Sequence, residues 1–170
     1  KNEVSFGLPR SRIYLGRLTA ALIVALLMCI LVFASYLGTA WLLSSHTDPE
    51  AERTNLVVLA SVAGASFPLW LGAMSLALAL CFLIRSSNLA GIGFLAIMLA
   101  VPAIFDNLGK YINPVFFRLY HVTLDYMGGL VISTETLDWP LIGRCWLIGL
   151  AWAVVSTAVG LFFFSRREIS

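Results

Sequence analysis

Two histidines and three cysteines are the residues of this 170-residue chain best suited to metal or nucleophile chemistry, and their spacing serves neither. His46 and His121 stand far apart, and neither belongs to an HExxH or comparable ligand cluster. Cys29, Cys81 and Cys145 show no CxxC or CxxxC pattern and sit in apolar surroundings, where a thiol packs as a small hydrophobe. His121 and Asp125, four residues apart, could pair across one helical turn, and they read as a solvated helix face. Serines and threonines in apolar stretches (Thr19, Ser35, Thr39, Ser61, Ser66, Ser75, Ser156, Thr157) have no base beside them in the sequence to activate a hydroxyl. They are expected to hydrogen-bond across helices instead. Gly91-Ile92-Gly93 lies inside an apolar run, without the strand and helix that frame a phosphate-binding loop. The expectation is a chain with no catalytic residue, no metal ligand set and no cofactor.

The elements that carry these residues are set by hydrophobicity. Sixty per cent of the residues are hydrophobic and 12% charged, far fewer charges than soluble domains carry. Leu18–Thr47, Thr54–Ile84, Ser86–Phe105 and Cys145–Ser165 contain no Asp, Glu, Lys or Arg. Each is long enough to cross a hydrocarbon core of about 30 Å at about 1.5 Å per residue. The expected fold is therefore all-α: one transmembrane domain, 1–170, with spans at 18–43, 54–84, 86–105 and 145–165. No intramembrane enzyme or ion-coupled carrier is indicated, because such spans normally hold ionisable groups and these hold none.

Between the spans, local signals are strong. Asp48-Pro49-Glu50 is a helix start with cap, first-turn proline and dipole-favoured acid. Pro68 should kink the second span. Ala60, Gly64, Pro68 and Gly72 recur every four residues and form one small-residue face for close helix packing. Arg85-Ser86-Ser87-Asn88 makes a tight turn between the second and third spans. Asn113-Pro114 opens a helix carrying Val115, Leu119, Val122 and Tyr126 on one face, which Gly128-Gly129 should end. A short apolar piece, Leu130–Ser133, follows. Residues 106–140 thus read as an extracytoplasmic helical hairpin, interfacial or shallowly re-entrant, and Asp138-Trp139-Pro140 starts the last helix. Residues 1–17 read as a short interfacial element broken by Gly7 and Pro9.

Basic residues orient the spans. With a cytoplasmic N-terminus, that side carries Lys1, Arg10, Arg12, Arg17, Arg85, Arg166 and Arg167, against Glu3 and Glu168. The other side carries Arg53, Lys110, Arg118 and Arg144, against Asp48, Glu50, Glu52, Asp106, Asp125, Glu135 and Asp138. Positive charge favours the cytoplasm, so both termini are expected there. The net charge of +2 hides the asymmetry and gives no ground for a nucleic-acid partner.

The opening Glu3–Arg17, EVSFGLPRSRIYLGR, resembles the cytoplasmic element before the third span of type-two ABC exporter permeases. The matching residues are Gly7, Arg10, Tyr14 and Arg17, with Arg12 adjacent; Pro9 stands where Ser or Thr is more usual. The hairpin before the last span, and a last span ending Phe162-Phe163-Phe164-Ser165-Arg166-Arg167-Glu168, are similar in layout. The resemblance implies spans three to six of a six-span permease, and the opening on Lys1 is read as a fragment's. It further implies that residues 1–17 couple to a separate ABC ATPase subunit through Gly7, Arg10, Arg12, Tyr14 and Arg17. A second permease copy or homologue would share the route in a bacterial cytoplasmic (inner) membrane. The uncharged spans suit a hydrophobic or amphipathic cargo, such as a peptide antibiotic or lipid-like molecule. The alternative is a membrane scaffold or adaptor that transports nothing, with the same arginines touching only lipid.

Overall fold

Helices account for nearly all of the computed structural model, which describes residues 9–43, 49–84, 86–133 and 138–166. In chain order they are α1 (Arg10–Leu43), α2 (Pro49–Leu83), α3 (Ser87–Leu95), a π-helical turn (Ala96–Ala100), α4 (Val101–Tyr111), α5 (Pro114–Tyr120), α6 (Leu124–Ser133) and α7 (Trp139–Arg166). Four stretches are long and apolar enough to cross a membrane: Ser11–Thr39, Glu52–Leu83, Ser87–Tyr111 and Trp139–Phe164. This is the pattern of a multi-pass membrane protein.

The chain falls into two compact units, residues 1–59 and 60–170. In the first, α1 runs unbroken from Arg10, so residues 10–17 are the opening turns of a 34-residue helix and not a separate element. Pro9 explains the start: it cannot continue a helix backward, but its carbonyl accepts from the Arg12 and Ile13 amides at 2.9 and 3.3 Å. Ile13 and Tyr14 are buried, whereas Ile23, Val24, Leu27, Leu31 and Val32 are each more than half exposed. An apolar helix exposed along its length suits a lipid or partner-helix environment. Thr19, Ser35 and Thr39 donate to carbonyls one turn back, at Leu15, Leu31 and Ser35, instead of reaching across to another helix.

In the second unit, α2 and α7 run side by side in the same direction. Phe67 meets Trp146 with ring centroids 6.2 Å apart, and Phe82 meets Phe164 at 4.8 Å. Between these pairs Gly72 approaches Gly149 so closely that a Cβ on Gly72 would lie 2.8 Å from the Gly149 carbonyl oxygen. A Cβ on Gly149 would collide with the carbonyl of Pro68 and lie 2.6 Å from the Leu69 nitrogen. Buried positions on α2 are Ala65, Pro68, Leu69, Gly72, Ser75, Leu76 and Ala79, an alternating three-and-four spacing that makes one narrow seam. Pro68 and Gly72 lie in the contact, while Ala60 is exposed and a Cβ on Gly64 would meet nothing within 4 Å. α2 continues as helix through Pro68.

Two parallel helices in sequence need one crossing between them, supplied by α3, the π turn and α4. Ser86 caps α3 by accepting from the Leu89 amide at 3.5 Å. The π turn ends two residues before Pro102, which offers no amide to the Met98 carbonyl; the Val101 amide bonds Ala96 instead, five residues back. The helix continues past Phe105, where the sequence ended the span, to Tyr111. Lys110 donates to Asp106 at 2.6 Å, one turn away, so the two charges that halted the sequence reading are paired.

Candidate functional site

Residues 112–133 do not cross again. Asn113 caps α5 by accepting from the Val115 amide at 2.9 Å, with Pro114 in the first turn. α5 then packs back along α4: Phe116 faces Phe105 at 6.4 Å, and Phe117 presses so close that a Cβ on Gly109 would lie 2.7 Å from its nitrogen. The chain turns at His121–Thr123. Thr123 is buried; its hydroxyl donates to the Tyr120 carbonyl at 2.8 Å and accepts from the Tyr126 amide at 3.3 Å. It therefore starts α6. Gly128-Gly129, expected to end a helix, lie in the interior of α6. The division expected at the glycines falls instead before Leu124, where the Thr123 hydroxyl accepts from the Tyr126 amide.

The tip of this hairpin reaches the middle of the bundle. The Trp152 indole Nε1 donates to the Val122 carbonyl at 2.9 Å. Trp152 stands midway along the apolar stretch Trp139–Phe164, about 20 Å from its start at 1.5 Å per residue. Leu124 reaches the same level on α2, where a Cβ on Gly72 would be 3.3 Å from its Cδ2. α6 then climbs away, with Leu124, Met127 and Val131 buried in a cluster with Ala65, Leu69, Leu141, Cys145 and Ile148. Asp138 caps α7 by accepting from the Leu141 amide at 3.2 Å. Around the tip, the His121 amide bonds Phe117, the Val122 amide Leu119 and the Thr123 amide Tyr120. The His121 ring nitrogen Nδ1 also faces the Phe117 carbonyl, an acceptor only, and so carries the proton. A non-spanning hairpin in an apolar bundle needs such bonds, because no water satisfies its backbone there.

Two cavities flank the tip. One, of about 190 Å³, lies between Ile97–Phe105 and the turn, closed by Trp152. The other, of about 580 Å³, is lined by Met98, Tyr120, Leu124–Tyr126 and Gly128–Ser133 excluding Val131. Met98, at the π turn, lines both, as do Leu124 and Asp125. The rings of Tyr120, His121 and Tyr126 meet edge to face, with centroids 4.5–5.8 Å apart. His121 thus packs among rings, and the turn at 121–123 removes the helical geometry that would have paired it with Asp125.

The residues expected to couple to an ATPase lie at the other end of the sequence. Gly7, within residues 1–8, falls outside the described residues, as does the side chain of Arg10. Arg12 and Arg17 are exposed and Tyr14 is fully buried in the first turns of α1. Sequence reasoning missed Gly149 and Trp152. The first had a legible signal, a small residue one turn away on either side (Cys145 and Ala153); the second had none. Among the described residues, no three His, Cys, Asp or Glu side chains gather to hold a metal ion. Comparison with known proteins gives no match among family models, curated proteins or solved structures.

Proposed function

We propose that this chain is the membrane-embedded permease subunit of an ATP-driven bacterial exporter, similar to the type-two ABC exporter permeases, with ATP hydrolysis on a separate subunit. The observation that carries the reading is the α5–α6 hairpin, which enters a bundle of spanning helices and leaves by the same end. Such an insertion opens a mid-length cavity beside helices that otherwise pack tightly, and a route for cargo needs one. The basic opening of α1 supports the same reading. Arg12 and Arg17 are exposed around a buried Tyr14, on turns continuous with a 34-residue helix. A push on those turns by an ATPase would act on a rigid rod. Export of a hydrophobic or amphipathic molecule from a bacterial inner membrane, with both termini of this chain cytoplasmic, completes the proposal.

Co-purification with the ATPase encoded beside it, and ATP hydrolysis in proteoliposomes, test it. The full-length protein is expected to hold the ATPase, and Arg10→Glu to weaken that hold by reversing a close charge contact, about 1–3 kcal/mol. If Arg10→Glu and Tyr14→Ala leave both complex yield and hydrolysis unchanged, the scaffold alternative takes over.

A further inference from the structure

We infer that the larger cavity beside the hairpin tip is a binding site for a cationic group carried on an apolar body, with Asp125 as its counter-charge and the Tyr120 and Tyr126 rings in its lining. The inference deepens the permease reading and rests on it for the depth of the site in a membrane. At about 580 Å³ the cavity is within the range that holds small-molecule ligands. Its lining is apolar at Met98, Leu124, Leu130 and Ile132, and among the described residues Asp125 is the carboxylate in it and no Lys, Arg or His lines it. Asp125 is exposed and lies in the first turn of α6, where the helix dipole favours the anion. A carboxylate halfway along spanning helices faces water, a counter-ion or a ligand, not lipid.

The aromatic residues point to the sign and kind of ligand. Tyr120 and Tyr126 both line the cavity and hold each other edge to face at 4.8 Å. His121 and Phe117 brace them from behind, with His121 at 4.5 Å from both Phe117 and Tyr126. Ring faces beside a carboxylate attract a weakly hydrated cation, such as a quaternary or protonated amine or a guanidinium. Gly128 and Gly129 add an independent indication. Neither has a backbone conformation that demands glycine, and a Cβ on either would meet nothing within 4 Å. Packing therefore does not explain two consecutive glycines in mid-helix, at a propensity loss of about 0.5–1 kcal/mol each. Both line the cavity, and their missing side chains are what widen it.

The test uses the full-length protein in phosphatidylcholine nanodiscs, without any ATPase, and two probes of one shape and opposite charge: tetraphenylphosphonium and tetraphenylborate. The phosphonium is expected to bind at least about tenfold more tightly than the borate. Asp125→Asn should lose about tenfold in phosphonium affinity and Asp125→Glu should restore most of it. Tyr126→Leu should lose a few-fold, and Gly129→Met, which leaves Asp125 in place, should occlude the site. Equal binding of the two ions, or wild-type phosphonium affinity in a monodisperse Asp125→Asn protein, would overturn the site. Asp125-dependent phosphonium binding by a protein that never associates with an ATPase keeps the site and removes the exporter reading. Charge-blind binding by a protein that does associate removes the site alone.

Discussion

One methyl group at position 149 has nowhere to go. It would enter the space held by the Pro68 carbonyl, so Gly149→Ala must push α7 away from α2 along the seam between Phe67–Trp146 and Phe82–Phe164. Overpacking of this kind typically costs about 1–3 kcal/mol. Thermal unfolding in detergent is expected to show Gly149→Ala and Gly72→Leu clearly less stable than wild type, and Gly64→Leu close to it. A Gly64→Leu protein as unstable as Gly72→Leu would put a partner on the face that is open in this chain. Trp152→Phe keeps the ring but removes the donor to Val122, leaving one carbonyl at the hairpin tip unsatisfied. The expected loss is about 1–2 kcal/mol, and Trp152→His, which keeps an N–H, should lose less. Little of this was legible beforehand. Gly72 announced itself through a four-residue period of small residues, but Ala60, which is exposed, and Gly64, where a Cβ would meet nothing within 4 Å, announced themselves equally. Periodicity marks a helix face; only the neighbouring helix decides which part of it is used.

At the scale of elements, the starts of helices were readable and their interiors were not. Asp138-Trp139-Pro140 and Asn113-Pro114 open α7 and α5 as their side chains dictate, because a cap is satisfied within a few residues of itself. Gly128-Gly129 misled for a matching reason: glycine permits a helix end without enforcing one, and Thr123 already supplied the break. Gly128→Ala is therefore expected to stabilise the fold by up to about 1 kcal/mol, since α6 is helical through it and the methyl meets open space. Loss of stability would mean that the chain reverses at the glycines after all. The π turn was invisible in hydropathy, although its cause, Pro102, was in plain view. Pro102→Ala returns an amide to the Met98 carbonyl and should let the turn relax to α-helix, rotating Met98 away from the cavities it lines. Spin labels on α3 and α5 would register the change as an altered distance.

Across the whole molecule, the parallel run of α2 and α7 makes a definite statement about sidedness. Within the second unit, α2 from residue 60 onward and α7 run the same way, with a single crossing through α3 and α4 between them. Cysteine labelling in a background lacking Cys29, Cys81 and Cys145 is expected to reach Glu50 and Asp138 positions from the same side, and Asn88 only from the opposite one. Labelling of Asn88 and Asp138 from one side would remove the α3–α4 crossing and the parallel arrangement with it. The number of spans was legible because hydrophobic length is a property of each segment alone. The depth of the hairpin was not, because it is fixed by one bond between residues thirty apart in sequence.

That bond also imposes an order of assembly. Val122 leaves the ribosome thirty residues ahead of Trp152, which at about 5–20 residues per second is an interval of roughly 2–6 s. During that interval the tip has a carbonyl that lipid cannot satisfy, so α5–α6 waits at the water boundary while the spans before it insert. Arrival of α7 is then the event that draws the hairpin inward, and a segment synthesised after the hairpin becomes the one that completes its interior. A nascent chain arrested with the hairpin emerged and Trp152 still inside the ribosome should be an integral membrane protein whose hairpin is open to water-soluble reagents.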